Sequence, residues 1–423
     1  MSEPFDALET RDPAAREAAL MAALPAQVAR AQQTAALGEI LGGVDATRVA
    51  SRAALAALPV TRKQELLERQ QRARASSTAW DPFGGFAAIG WRGLVRPTGA
   101  RRVFQSPGPI YEPEGLAPDY WRVARALHAA GFRAGDLIHN SFSYHLTPAG
   151  SMMETGALAL GCSVFAGGVG NTELQLQAMQ DLRPHAYCGT PSFLRILIEK
   201  AAEAGIALPS LTKALVSGEA FPPSLRDWLI ERGVHGYQCY ATADVGLIAY
   251  ETSAREGLLI DEGVVVEIVR PGTGDPVPDG EVGEVVVTVL NPDYPLVRFG
   301  TGDLSATLSG RCPTGRTAQR IKGWMGRADQ TAKVRGMFVH PGQVAEVARR
   351  HPEVKRARLV VSGEMANDQM RLQVEVPERL EGLAVRIADS VRDITKLRAD
   401  VELCAVGSLP NDGKVIEDAR SYK

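Results

Sequence analysis

From Asp119 to Gly233 the chain alternates two hydrophobic rhythms. The segments YWRVARALHAAG (120–131), TPAGSMMETGALALG (147–161), NTELQLQAMQDL (171–182), PSFLRILIEKAAEAG (191–205) and SLRDWLIERG (224–233) repeat apolar residues at the spacing of one helix face. Pro191 suits a first helical position, and Gly131 and Gly205 suit helix stops. Between these segments lie LIHNSF (137–142), CSVFAGG (162–168), HAYCGT (185–190) and KALVSG (213–218), apolar runs too short for helices. Repeated units of this kind predict a largely parallel sheet with helices on its faces. Such a sheet binds ligands beyond the carboxyl ends of its strands.

The flanks have other textures. Residues 13–75 are rich in Ala, Leu, Arg and Gln and predict helices, whereas Gly and Pro crowd the stretch 76–110 and predict loops with short strands. After Tyr240, VVVEIV (264–269) and EVGEVVVTV (281–289), separated by the turn-rich PGTGDPVPDG, predict antiparallel strands in a small barrel or a distorted sheet. From Gly326 the order changes again: a basic KVRG, a helix from Pro341, strands RARLVVSG and MRLQVEV, a helix LAVRIADSVRDI and a strand VELCAVG. The fold class is therefore α/β, with a large N-terminal domain (1–326) holding mostly parallel sheet plus a small β subdomain. A small α+β C-terminal domain (327–423) completes it.

Composition narrows the function classes. The 423 residues, 45% hydrophobic and 23% charged, are ordinary for a globular chain of about two or three domains. With 47 Lys+Arg against 49 Asp+Glu, the net charge of −2 offers no field for a polyanion or an anionic membrane. Five widely spaced cysteines supply neither a disulfide framework nor a CxxC site, the acidic amino terminus lacks a signal-peptide pattern, and no run is long enough to span a membrane. A cytoplasmic protein is expected.

Candidate chemistry lies in five segments. Lys414 in LPNDGKVIEDAR follows an Asp-Gly turn that would let it swing into a cleft as a mobile cation. RFGTGDLS (298–305) places Asp303 after Thr301 and Gly302 in what reads as a tight turn, where a carboxylate can accept two ribose hydroxyls. GRADQTAKVRG brings Arg327 and Asp329 to the domain boundary. YATADVG (240–246) ends the αβ region with Asp244 suited to Mg²⁺ and Thr242 to a phosphate oxygen, and SGEAFPPSL (217–225) follows a strand as a nucleotide-pocket wall would. Singly, each has an ordinary structural reading: a solvated lysine, a hairpin aspartate, a charged linker, a strand-to-strand turn and a helix start.

Together, in this order, the segments resemble the adenylate-forming (acyl-activating) enzyme superfamily from about residue 100 onward. GNTELQLQ (170–177), TPSF (190–193) and LPVTRKQEL near residue 60 resemble its phenylacetate–CoA ligase branch. The resemblance implies that Lys414 neutralises carboxylate and α-phosphate oxygens during adenylation, and that Asp303 binds ribose. It places Tyr240 near adenine with Ser217, Gly218, Glu219, Ala241 and Thr242, makes Asp244 the metal ligand, Arg327 a nucleotide contact, and Asp329 the hinge of a rotating C-terminal lid. Phe142, Tyr144 and His145 would line the acid pocket, His145 as a hydrogen-bonded wall residue.

This chain departs from the family pattern in its phosphate loop, VFQSPGPIYEPEG (103–115). Ser106 and Gly108 remain, but Pro107 and Pro109 remove N–H donors, and Glu112 and Glu114 stand where a cation would help. Ala243 stands before Asp244 where the family has Ser or Thr. The implied activity is ATP-dependent acid–CoA ligation of an aromatic or arylacetic acid, using ATP, Mg²⁺ and coenzyme A, with a homodimer left open. A non-catalytic nucleotide or acyl-CoA binder, favoured by the altered loop, and an adenylating enzyme with another acceptor are the alternatives.

Overall fold

The computed structural model describes residues 3–78, 80–91, 99–325, 327–328, 330, 332–335, 337–339, 341–363, 367–410 and 414–420. Two compact units divide the chain, Met1–Gly326 and Arg327–Lys423. Asp329 lies outside the described residues.

The first unit opens with helices. α1 (Pro13–Gln32) starts where the Asp12 carboxylate accepts from the N–H groups of Ala14 and Ala15, at 2.9 and 3.0 Å. α2 (Ala35–Ile40), α3 (Arg52–Ala56), a short β1 (Thr61–Arg62) and α4 (Lys63–Ala75) follow, then the hairpin of β2 (Arg102–Ser106) and β3 (Ile110–Glu114). Next come the alternating units predicted from the hydrophobic rhythm: α5 (Ala124–Ala129), β4 (Leu137–Asn140), α6 (Ala149–Ala159), β5 (Ser163–Ala166), α7 (Thr172–Leu182), β6 (Ala186–Gly189), α8 (Pro191–Glu203), β7 (Lys213–Val216), α9 (Pro223–Ile230) and β8 (His235–Thr242). α5 is shorter than its apolar pattern because Arg122 adopts φ 65° and the Asp119 carboxylate caps Val123 and Ala124 at 2.8 and 3.0 Å. The Arg122 guanidinium bonds Asp261 and the carbonyls of Val245 and Leu247 instead, a tertiary claim that overrides helix propensity.

Strands β9 (Gly246–Glu251), β10 (Leu258–Ile260), β11 (Val264–Val269), β12 (Gly283–Val289), β13 (Phe299–Ser305), β14 (Thr307–Leu308) and β15 (Arg320–Ile321) complete the unit. Among the described residues, nine strands form one sheet in the order β14-β15-β10-β9-β8-β7-β6-β4-β5. Pairings from β5 to β8 are parallel and those from β8 to β14 antiparallel, so β8 is the seam. A second sheet, β1-β13-β12-β11, is the distorted sheet of the two alternatives, with a register shift between Glu284 and Val286. Leu24, Val28, Leu37, Leu55 and Leu66 from the helices pack with Val265, Val285, Val287 and Phe299. Burying each such side chain contributes roughly 1.5–3 kcal/mol relative to water.

The second unit holds the hairpin of β16 (Ala332–Val334) and β17 (Met337–Val339), α10 (Pro341–Arg350), β18 (Arg356–Ser362), β19 (Gln369–Glu375), α11 (Leu383–Thr395), β20 (Asp400–Cys404) and β21 (Ile416–Asp418). Its sheet order is β20-β19-β18-β21, and Val347, Leu359, Val374, Ile387 and Val391 fill its own core. The α+β character matches the sequence pattern. No helix among the described residues is long and apolar enough to cross a membrane.

Candidate active site

The seam strand β8 ends in Tyr240, Ala241 and Thr242, and the turn into β9 carries Asp244. The Tyr240 hydroxyl donates to Asp303 Oδ2 at 2.8 Å and lies 3.1 Å from Thr301 Oγ1, while Trp324 Nε1 donates to Asp303 Oδ1 at 3.1 Å. Asp303 is thus a buried residue within β13 rather than the tip of a turn. Gly302, at φ 74°, bends the strand without ending it. A carboxylate has about four lone-pair positions, enough for aromatic donors and ribose hydroxyls together.

Asp244 is 4% exposed, and Lys63 Nζ stands 3.2 Å from its Oδ2. Its Oδ1 is buried and accepts no hydrogen bond from any described residue. Nearby, burial foremost and the Asp244 charge next push the Glu112 carboxyl up to about 8, which favours its protonated form. Ser106 Oγ and N–H both donate to Glu112. Glu114 is occupied as well: burial raises its pKa, but bonds from Ser151, Trp121, Arg101 and Arg102 outweigh that and hold it below the ordinary range. The two glutamates of the β2–β3 hairpin are therefore a buried acid whose protonated form is favoured and one paired with two arginines, not open negative charges beside Gly108.

Ser217 Oγ donates to the Cys239 carbonyl at 2.8 Å, and Ser192 Oγ donates to Glu219 at 2.5 Å. Thr190 caps α8 just before Ser192, so the TPSF segment fixes the wall formed by Ser217, Gly218 and Glu219. Thr242 Oγ1 accepts from Val245 N–H at 3.3 Å. After β4, Phe142 is buried and the Tyr144 hydroxyl accepts from Asn140 Nδ2 at 2.8 Å. His145 departs from expectation: its ring is exposed and makes no hydrogen bond with a described residue. Its backbone is held by Ser143 Oγ and the Thr147 N–H, because the chain turns at Leu146 with φ 62° and leaves the imidazole at the tip.

All of these residues belong to the first unit. Lys414 and Arg327 belong to the second, where Lys414 is exposed and lies two residues before the start of β21. The Lys414 carbonyl accepts from Arg358 at 3.4 Å, and the next N–H, of Val415, donates to Gln330 at 2.7 Å.

The AMP-binding enzyme family matches residues 128–289, from α5 through β12. A phenylacetate–coenzyme A ligase of Thermus thermophilus is 33% identical over 317 residues, spanning 68% of this chain and 71% of that enzyme. The chain belongs to the phenylacetate–CoA ligase branch of the adenylate-forming enzymes. A second such ligase, from Aromatoleum evansii, is 29% identical over 387 residues, 86% of this chain and 83% of the relative. The solved structure of 2-hydroxyisobutyryl-CoA ligase with 2-HIB-AMP and CoA shares the fold, with TM-score 0.80 at 24% identity, covering 98% of this chain and 92% of that one.

As a member of this branch, the chain adds residues that motif reading passed over. Lys63 was visible only as a lysine after a Leu-Pro, and its approach to Asp244 depends on α4 packing against β13 and β3. Thr301 and Trp324 complete the Asp303 site from either side of it in sequence. The orphaned Asp244 oxygen suits a hard cation such as Mg²⁺, which takes one or two carboxylates and fills its shell with water and phosphate oxygens.

Proposed function

We propose that this chain is an ATP-dependent acid–CoA ligase whose substrate is an aromatic or arylacetic acid. The supporting observation is the convergence on one end of β8 of Asp303, held by Tyr240, and Asp244, with one buried oxygen unclaimed by any described residue. Asp303 takes the ribose hydroxyls and Tyr240 borders the adenine, with Ser217, Gly218 and Glu219 as the adjoining wall. Asp244 would hold Mg²⁺, which when bound neutralises phosphate charge. Lys63 brings a cation to the same place, compensating for a β2–β3 hairpin whose prolines cannot donate. Phe142 and Tyr144 receive the ring of the acid.

Chemically, a carboxylate oxygen of the substrate attacks the α-phosphorus of ATP and pyrophosphate departs, leaving an acyl-adenylate. Lys414 lowers the repulsion between the two anions as they meet. The coenzyme A thiolate then attacks the acyl carbon, and AMP leaves with the electron pair of the broken C–O bond. Asp329 is the proposed hinge that exchanges Lys414 for the thiol, and Arg327 a nucleotide contact.

ATP–pyrophosphate exchange over a panel of carboxylic acids tests the proposal, run on the parent and on Lys414→Ala. Acid-dependent exchange that falls about a hundredfold or more in the variant is expected, as for loss of a charge stabiliser in a dry site. ATP binding without exchange for any acid would leave a nucleotide-binding protein without ligase turnover. Exchange without CoA consumption would assign another acceptor.

A further inference from the structure

The segment Gly170–Gln177 helps to carry the family resemblance, yet nothing in the adenylation chemistry uses it. Its Gln175, on α7, is 3% exposed. Gln175 Nε2 donates to the carbonyls of Gly168 and Gly170 at 2.9 and 2.6 Å. Its Oε1 accepts from Ser141 Oγ at 2.9 Å and lies 2.7 Å from His139 Nε2. With both amide protons committed to carbonyls, Oε1 faces the imidazole, so His139 must present an N–H there. Burial holds the His139 pKa below its ordinary value, which makes that ring a neutral donor stacked on Phe165 at 5.2 Å between centroids.

The neighbouring Asn140 is fully buried and does the same for the other loop. Its Nδ2 donates to the Tyr144 hydroxyl at 2.8 Å and the Gly150 carbonyl at 2.9 Å, and its Oδ1 accepts from Phe142 N–H at 3.2 Å. Its backbone carbonyl accepts from Gly168 N–H at 3.0 Å, which joins the two systems. Gly167 sits so close that a Cβ there would lie 2.9 Å from His139 Nε2 and 3.0 Å from Gln175 Oε1. Two buried amides, each with both N–H groups and its oxygen hydrogen-bonded, fix geometry more tightly than apolar packing, at the cost of heavy penalties if one bond is lost.

We propose that Asn140 and Gln175 are positioning residues for acid recognition, locking the loops after β4 and β5 into one body that fixes Phe142 and Tyr144 and so sets which ring-bearing acids are accepted. The proposal rests on the assignment of Phe142 and Tyr144 to the acid pocket. It gives Gly170–Gln177 a task in selectivity, separate from the nucleotide site at the end of β8.

The test is ATP–pyrophosphate exchange with KM measured separately for acid and for ATP, over arylacetic, benzoic and straight-chain acids, on the full chain. Gln175→Glu replaces two N–H donors with oxygen, and it is expected to raise the acid KM about tenfold while the ATP KM stays within about twofold. Its preference for aryl over alkyl acids is expected to shrink by about tenfold as well. Gly167→Ala should act in the same direction by pushing on the bracket from outside. Combining Asn140→Ala with Tyr144→Phe should cost less than the sum of the single effects, because each removes the bond between Asn140 Nδ2 and the Tyr144 hydroxyl. If Gln175→Glu does not fold, the other variants decide. Equal rises in both KM values, or an unchanged acid KM in folded variants, would overturn the proposal. Phe142→Ala separates the levels: if it leaves the acid KM unchanged, the pocket assignment itself falls and the proposal with it. If it raises that KM while Gln175→Glu does not, only the positioning role falls.

Discussion

Burial, which strips its water, and the like charge of Asp244 raise the pKa of Glu112 and favour its protonated form. In the unfolded chain the same carboxyl titrates near 4.5, against about 8 in the folded protein. Between those values the folded state binds one proton more than the unfolded state, so this group's contribution to stability falls as pH rises through the window. Thermal unfolding from pH 5 to pH 9 is therefore expected to show a parent melting temperature that drops relative to Glu112→Gln as pH increases. The variant keeps an acceptor for Ser106 but cannot ionise. Curves for the two proteins that stay parallel would mean that Glu112 is already ionised or already paired. The same side chain explains why its charge was misleading in the sequence: an acidic letter in a phosphate loop signals repulsion only while the group is ionised.

At the scale of elements, the first segment of the chain is fastened by one buried acid. Glu9 accepts from the Tyr250 hydroxyl at 2.6 Å and Arg316 Nε at 2.8 Å, and Arg125 Nη1 stands 3.6 Å away. Asp6 adds a bond to Arg125 at 2.7 Å. Breaking one partner of such a buried set leaves charge without compensation, at about 3–5 kcal/mol. Glu9→Gln should lower the melting temperature by several degrees and admit protease near residue 10, with little change in ATP or acid KM below the transition. A variant as stable as the parent would show that the network breaks even against solvation. None of these contacts is local. The sequence made the helices and strands of 120–240 readable because their periods differ, with prolines at the starts of α8 and α9 and glycines just past the ends of α5, α6 and α8. It hid Asp303 inside a strand because the donors that hold it, Tyr240 and Trp324, come from other parts of the chain. Gln175 and Asn140 were invisible for a related reason: an amide's role depends on which loops meet it. β21 escaped because its partner, β18, lies far back in sequence.

At the scale of the molecule, each unit has its own sheet and its own apolar core, with Val347, Leu359 and Ile387 serving the second and Leu24, Val265 and Phe299 the first. Rotation about the connection between self-contained units need not open either core, which is the physical condition for a lid that changes place between two half-reactions. In the proposed mechanism adenylation uses the Lys414 ammonium near the phosphates and thioester formation uses that space for a thiol, so one fixed arrangement would not serve both equally. If Asp329 is the hinge, fixing its φ near −65° with Asp329→Pro should hold the protein in whichever arrangement that angle permits. ATP–pyrophosphate exchange is expected to survive within about threefold, while acyl-CoA formation from preformed acyl-adenylate falls about a hundredfold or more, a difference of nearly 3 kcal/mol in barrier. Calorimetry on the same variant distinguishes this from damage, since two self-contained cores should keep their parent unfolding behaviour. Equal loss of both half-reactions with an unchanged calorimetric trace would place the turning point elsewhere than Asp329, or show that both steps share one arrangement of the two units.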